Sequence, residues 1–375
     1  MVNMIRIYQS VATLIGAIVG VGIFGIPYVV SKSGFLIGVI FLFILTLAVL
    51  LLHLYYAEII LRTPGRHRFV GYSYKYLGRF GKIIAGIISI VIFYGALLSY
   101  IIVGGSFLKI IFDGNEFMWS IVFFFVCSLL VLFGLEFIAP LEILMSLFLV
   151  LVVILVLIIG FPYINYSNLK TIDFSNFFLP YGVIFFSLLG QVAVPEIKEI
   201  LKDKSHKIKQ VIILGTVIPA IIYFLFAFIV VGITGKNTSE EAMEGLSYFF
   251  HSSYIVLVAI FGVLAVASSF LILGINLKKI FWYDYNINKH IAWLLTISVP
   301  FLAYVLNLRD FIKVIGSIGA CFCAIQAIIL IVIYHKAKRL SKRTPEFSLN
   351  LPVFLSWSLV IFFILGIFYQ VRYIF

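Results

Sequence analysis

The residues of this chain best placed to do chemistry carry almost no reactive side chains. Residues 16–28 read Gly-Ala-Ile-Val-Gly-Val-Gly-Ile-Phe-Gly-Ile-Pro-Tyr, apolar enough to lie in hydrocarbon yet interrupted by Gly16, Gly20, Gly22, Gly25 and Pro27. Glycine weakens a helix, proline removes a backbone donor, and each interruption frees N–H and C=O groups that lipid cannot satisfy. Unwound backbone at bilayer depth therefore needs a polar guest. A second stretch of the same kind, Leu-Pro-Tyr-Gly-Val-Ile-Phe-Phe-Ser-Leu-Leu-Gly-Gln-Val-Ala-Val-Pro-Glu, covers residues 179–196, with Ser187 and Gly190 near its centre and Pro195 beyond. Paired breaks of this sort place half-helix ends around a substrate and an ion near the bilayer midplane, as in secondary transporters.

The elements that must position these breaks follow from composition. With 63% hydrophobic and 11% charged residues and a mean hydropathy of +1.20, the chain is excluded from the ordinary soluble domains. A span needs about 20 apolar residues. Eleven such stretches are legible, at about 7–31, 35–61, 82–111, 117–135, 141–160, 178–200, 211–233, 252–277, 290–307, 311–334 and 351–371. The expected fold is an all-α polytopic membrane protein in which the broken spans are the first and the sixth. Five is odd, so spans one to five and six to ten enter from opposite sides, which predicts a five-plus-five inverted repeat. The core then covers 1–335, with repeats over about 6–160 and 178–335, and 336–375 forms a cytoplasmic loop and an extra eleventh helix.

The net charge of +12 suggests a nucleic-acid surface only until the charges are placed. With the N-terminus inside, 20 of the 27 Lys and Arg residues fall on the cytoplasmic side, whereas the outer segment 234–250 carries Glu240, Glu241 and Glu244. This predicts N-in, C-out insertion in the cell membrane, with lipid as a partner and no nucleic acid. Residues 63–80 set Phe69, Tyr72, Tyr76 and Phe80 at helical spacing, with Arg68, Lys75 and Arg79 on another face, and read as an interfacial helix. Cys127, Cys321 and Cys323 all lie within spans and read as packing residues. The first span is too long for a signal peptide, lacks a small-residue cleavage site, and is expected to be retained.

Gly20-Val-Gly-Ile-Phe-Gly-Ile-Pro27 followed by Ser33-Gly34-Phe35, together with the Phe-Ser-Leu-Leu-Gly and Val-Pro-Glu of span six, resembles the amino acid–polyamine–organocation superfamily. Within it, the resemblance is to the amino acid/auxin permease branch and its bacterial aromatic amino acid permease relatives, over about residues 6–335. It implies the inverted-repeat fold of the bacterial leucine transporter and alternating-access uptake of amino acids. Carried over residue by residue, the N–H groups at Gly20, Val21 and Gly22 would meet a substrate carboxylate. Carbonyls around Ser187 to Gly190, and those ending the first half-helix, would hold the α-ammonium. Tyr100, followed by Ile-Ile-Val-Gly-Gly, matches a position where relatives set a tyrosine against the substrate, and Phe185, Phe186 and Leu189 suggest an apolar pocket. The competing readings are plain packing: Gly16 and Gly20 let helices approach closely, and a tyrosine in a span satisfies its hydroxyl locally.

Ala265-Val266-Ala267-Ser268-Ser269 looks like the Ala-x-x-(Thr/Ser)-Ser pattern that sodium-coupled members use. The carbonyls of Gly16, Val19 and Ala265 and the hydroxyls of Ser268 and Ser269 would supply the oxygen ligands a hard cation requires. The alternative is that both serines bond back to their own helix. Ile23 stands where a second ion site needs asparagine, so one sodium is expected. The rival is proton coupling. Span five has no lysine past its start, which leaves His53, Glu58 and Glu142 as titratable candidates, and Glu58 can pair with Arg62 four residues on. No HExxH, GxSxG or P-loop pattern appears, so neither enzyme activity nor a cofactor is expected. The remaining alternative is an amino acid receptor that keeps this fold without transport, in the manner of germinant-receptor permease-like subunits. No feature fixes an oligomeric state.

Overall fold

Apolar runs dictate helices, and in the computed structural model, which describes residues 2–133, 150–151, 153–341 and 343–374, the architecture of the described residues is entirely helical. Helix α1 (Val2–Ile18) gives way at Val19–Val21 to α2 (Gly22–Ser33), and the two are bent by 56°. Gly34 turns the chain with φ 91° into α3 (Phe35–Arg62), and a side chain there would drive into the backbone at Ile172. Then come α4 (Phe69–Phe112), α5 (Glu116–Phe133) and the short apolar α6 (Val153–Tyr163). The second interrupted element is α7 (Leu179–Leu188) and α8 (Val194–Leu201), followed by α9 (Ile208–Thr234), the short α10 (Met243–Ser247), α11 (Ser252–Lys279) and α12 (Lys289–Val305). Helix α13 (Phe311–Ser317) runs through a π-helical segment, Ile318–Cys323, into α14 (Ala324–Leu340), and α15 (Val353–Ile374) closes the chain.

Among the described residues, seven helices are long and apolar enough to cross a membrane, and the bent α1–α2 pair makes an eighth. The chain is thus a multi-pass membrane protein. The stretches expected as spans five, six and nine are represented by shorter helices, α6, α7 with α8, and α12. Residues 134–149, which include the start of expected span five and Glu142, lie outside the described residues.

Two packing groups position the breaks. The α1–α2 pair, α3, the α7–α8 pair and α9 pack on one another; α4, α5, α11 and α12 form a second group; α13 and α14 touch both. The close approach of α7 to the α13–α14 helix depends on glycine, since a Cβ on Gly182 would come within 3.0 Å of the Gly316 Cα. Residues 69–77, read as an interfacial segment, are helical as the first turns of α4, and Gly78 (φ 72°) separates them from the rest of that helix. Their aromatic face is partly turned onto the protein. Tyr72 is buried edge-on against Tyr56 of α3, and Phe69 packs there too, while Phe80 beyond the break is exposed.

The terminal helix packs one aromatic face on the rest of the protein. Phe363 of α15 stacks on Phe185 of α7 with ring centroids 5.0 Å apart, and Phe362 and Tyr369 pack on Tyr181 and Phe178. Its leading loop is fastened by the buried Glu58. That carboxylate accepts from Arg62 Nε at 2.8 Å, Ser348 Oγ at 3.0 Å and the Leu349 N–H at 2.7 Å. The i,i+4 pairing with Arg62 is therefore present, as one part of a staple between α3 and the 343–352 segment.

Candidate functional site

The two breaks lie against each other. At the first, α1 ends at Ile18 and α2 opens at Gly22 with no side-chain cap, so its N-terminus is left to backbone donors. Only tight contacts bridge the gap, Ile23 N–H to Gly20 O at 3.3 Å and Phe24 N–H to Val21 O at 3.1 Å. At the second, Leu189 leaves the helical region (ψ 110°), Gly190 follows, and a short 3₁₀ turn at Gln191–Ala193 leads into α8. Gly22 packs on Ser187, where a Cβ would come within 2.9 Å of the Ser187 Cα. Gly22 thus joins the two breaks, and the Ser187 hydroxyl is turned back to Val183 O at 2.6 Å.

Gly20 faces the other way. A Cβ there would sit 3.6 Å from the Tyr100 hydroxyl and 3.9 Å from Ser269 Oγ, ordinary contact distances. The Tyr100 hydroxyl is itself hydrogen-bonded to the Ser269 side chain. Gly20 of the first break, Tyr100 of α4 and Ser269 of α11 therefore share one locality where the two packing groups meet. Gly20, Phe186, Leu189 and Ser269 are half-buried, whereas Val21, Gly22, Ser187, Gly190 and Ser268 are buried.

Of the residues expected to hold an ion, Gly16 and Val19 lie on the last turns around the first break, and the Val19 N–H closes onto Ile15 O at 2.7 Å. On α11 the Ser268 hydroxyl donates to Ala265 O at 2.9 Å, the back-bonding the sequence left open. A donating hydroxyl keeps its oxygen lone pairs, so the back-bond leaves the Ser268 oxygen able to accept. Ile23 is fully buried and offers no oxygen from its side chain.

Two side chains that the sequence reading did not assign to this site hold the breaks, and a third lies beside them. Tyr223 of α9 places its hydroxyl 2.8 Å from Ile18 O and 3.0 Å from Ser187 O, so one residue reaches the C-terminal ends of both α1 and α7. His53 of α3 accepts the Gly190 N–H on Nε2 at 3.3 Å, and its Nδ1 lies 3.0 Å from Thr216 Oγ1. With Nε2 an acceptor, the ring is neutral and Nδ1–H donates to Thr216. Thr216 and Tyr223 are seven residues apart, on one face of α9. Two polar residues at that spacing in an otherwise apolar span were the available signal. The third is Gln191, at 8% exposure beside Gly190, whose Oε1 has no hydrogen-bond partner among the described residues.

A sequence model of the tryptophan/tyrosine permease family matches residues 4–370. Glutamine transporter 2 of Aliivibrio fischeri (strain ATCC 700601 / ES114) is 24% identical over 365 residues, covering 93% of each chain. Among solved structures, MhsT in complex with L-phenylalanine superimposes with a TM-score of 0.64 at 14% identity, covering 98% of both chains. That last likeness speaks for the fold.

Proposed function

The chain belongs to the tryptophan/tyrosine permease family, and from that premise we propose that it is a sodium-coupled symporter of a neutral or aromatic amino acid, bound between the two breaks. The coarser statement, a secondary active amino acid transporter and not an enzyme, follows from the family and the fold. The observation that carries the finer one is the meeting of two half-helix C-termini and an uncapped half-helix N-terminus within one buried locality. The N-terminus of α2 at Gly20–Gly22 receives the carboxylate, since dipole and free donors both favour an anion there. The ends of α1 and α7, through carbonyls at Ile18 and from Ser187 to Gly190, receive the ammonium. Tyr100, Phe186 and Leu189 border the side chain.

We propose that the Gln191 side chain, next to Gly190 of the second break, faces the substrate. A buried acceptor without a partner is costly, and a substrate carrying an N–H or O–H would satisfy it. The side chains of tryptophan, tyrosine and glutamine have such a donor; that of phenylalanine does not. Sites built to accept such a hydrogen discriminate strongly against analogues that lack it.

For coupling, one sodium ion would be held by Gly16, Val19 and Ala265 carbonyls with Ser268 and Ser269. The proton reading loses ground at His53, whose two nitrogens are both engaged, and at Glu58, which is bonded to Ser348 and Leu349. We take the eleven-span, five-plus-five arrangement with a cytoplasmic N-terminus as the frame for this cycle.

The test is uptake of labelled L-tryptophan, L-tyrosine, L-phenylalanine and L-glutamine into proteoliposomes holding the full chain. The proposal expects concentrative uptake driven by a sodium gradient and saturating at millimolar sodium. Uptake driven by a proton gradient without sodium moves the reading to the proton symporter. Saturable binding without uptake moves it to a receptor.

A further inference from the structure

The hydroxyl of Tyr223 has one hydrogen and two carbonyls to serve. Ile18 O lies 2.8 Å away and Ser187 O 3.0 Å away, and each terminates a half-helix whose C-terminal end carries negative partial charge. Two such ends this close repel unless a positive hydrogen lies between them. The Tyr223 ring is wholly buried, so water does not supply that hydrogen. The ring is also fixed from its own helix, because α9 packs on both α1 and α2 and places Thr216 on the same face to anchor His53 against Gly190.

We propose that Tyr223 is a positioning residue of the substrate site: its shared hydroxyl hydrogen sets the separation of the two breaks and thereby shapes the carbonyl pair that accepts the substrate ammonium. This rests on the assignment of those carbonyls to the ammonium made above. The hydroxyl acts through the backbone, on the carbonyls assigned to the ammonium. Without it, Ile18 O and Ser187 O relax apart, and an ammonium, which offers three diverging N–H groups, loses the preformed pair.

The prediction separates this role from simple packing. In proteoliposomes, the amino acid that the wild type carries best, among labelled L-tryptophan, L-tyrosine, L-phenylalanine and L-glutamine, is competed against by the unlabelled amino acid and by its 2-hydroxy acid, which lacks the ammonium. Tyr223→Phe keeps the ring and removes only the hydroxyl. It should raise KM about tenfold, leave kcat within about twofold, and reduce the preference for the amino acid over its hydroxy analogue by about tenfold, the scale of one buried hydrogen bond. Replacement of Tyr223 by 3-fluorotyrosine, which keeps the donor, should retain the wild-type preference and covers the case in which the phenylalanine variant fails to insert. An unchanged preference in Tyr223→Phe, or a loss of preference in the fluorotyrosine protein, overturns the inference while leaving the transport reading intact. Failure of the wild type to bind or carry any of the four amino acids overturns the transport reading, and the inference with it.

Discussion

The first break is bent by 56° and half-open at Gly20, whereas the second is buried at Gly190 and fastened by a histidine. Both expose backbone in a span, yet they manage it differently. The first break keeps α2 without a side-chain cap and gives Gly20 room beside Tyr100 and Ser269. The second has its Gly190 N–H taken by His53 and its Ser187 carbonyl by Tyr223. Satisfied polar backbone is rigid, and unsatisfied polar backbone is available for a ligand. On the proposed reading the first break receives the carboxylate, and the second, held more tightly, presents its carbonyls to the ammonium.

The largest effect expected from this contrast lies within three residues. Gly22→Val forces a branched side chain into the Ser187 backbone, 2.9 Å from where even a Cβ would sit, and should leave little folded protein in the membrane. Gly20→Val meets only ordinary contacts at its Cβ and should fold, while losing at least tenfold in amino acid affinity by filling the space beside Tyr100 and Ser269. Expression followed by a binding assay distinguishes them. Equal behaviour of the two variants would break the contrast.

A smaller effect is expected at the fixed frame. His53→Leu strips a partner from the Gly190 N–H and from Thr216, two buried groups, and should cost about 2–4 kcal/mol in stability. His53→Gln keeps a polar side chain and should recover part of that loss, with the driving ion unchanged. Thermal denaturation in detergent, paired with uptake under sodium and proton gradients, reads both. A change of driving ion in His53→Gln would make the histidine a proton carrier instead.

The sodium assignment sharpens the comparison from the receiving side. Ser268→Ala with Ser269→Ala removes both hydroxyls of the proposed ion site, one of them beside Gly20 and Tyr100. The expected outcome is loss of sodium dependence in uptake with modest change in stability, because Ser268 gives up only a bond within its own helix. Retained sodium dependence would move the ion elsewhere.

How far the sequence carried is clearest at these same residues. Gly20, Gly22, Ser187 and Gly190 were legible because glycine and proline in a long apolar run contradict a continuous helix, and that contradiction is local. The role of Gly22 as packing contact was not, since it depends on how two segments more than 150 residues apart dock. Tyr223 and Thr216 were visible only as polar residues in an apolar span, because such a residue declares a partner without naming it. Glu58 was half-legible. Its i,i+4 pairing with Arg62 is written in the spacing, whereas its bonds to Ser348 and Leu349 arise only once α15 folds back on α7.

The central claim is that the backbone at the two breaks holds an amino acid by both its charged groups. It is tested most directly by competition for binding to the purified full chain, using an L-amino acid, the corresponding amine without the carboxylate, and the corresponding carboxylic acid without the ammonium. The account predicts that only the zwitterion displaces a labelled amino acid at comparable concentration, because each charged group answers a different half-helix end. Equal displacement by the amine or by the carboxylic acid would contradict it.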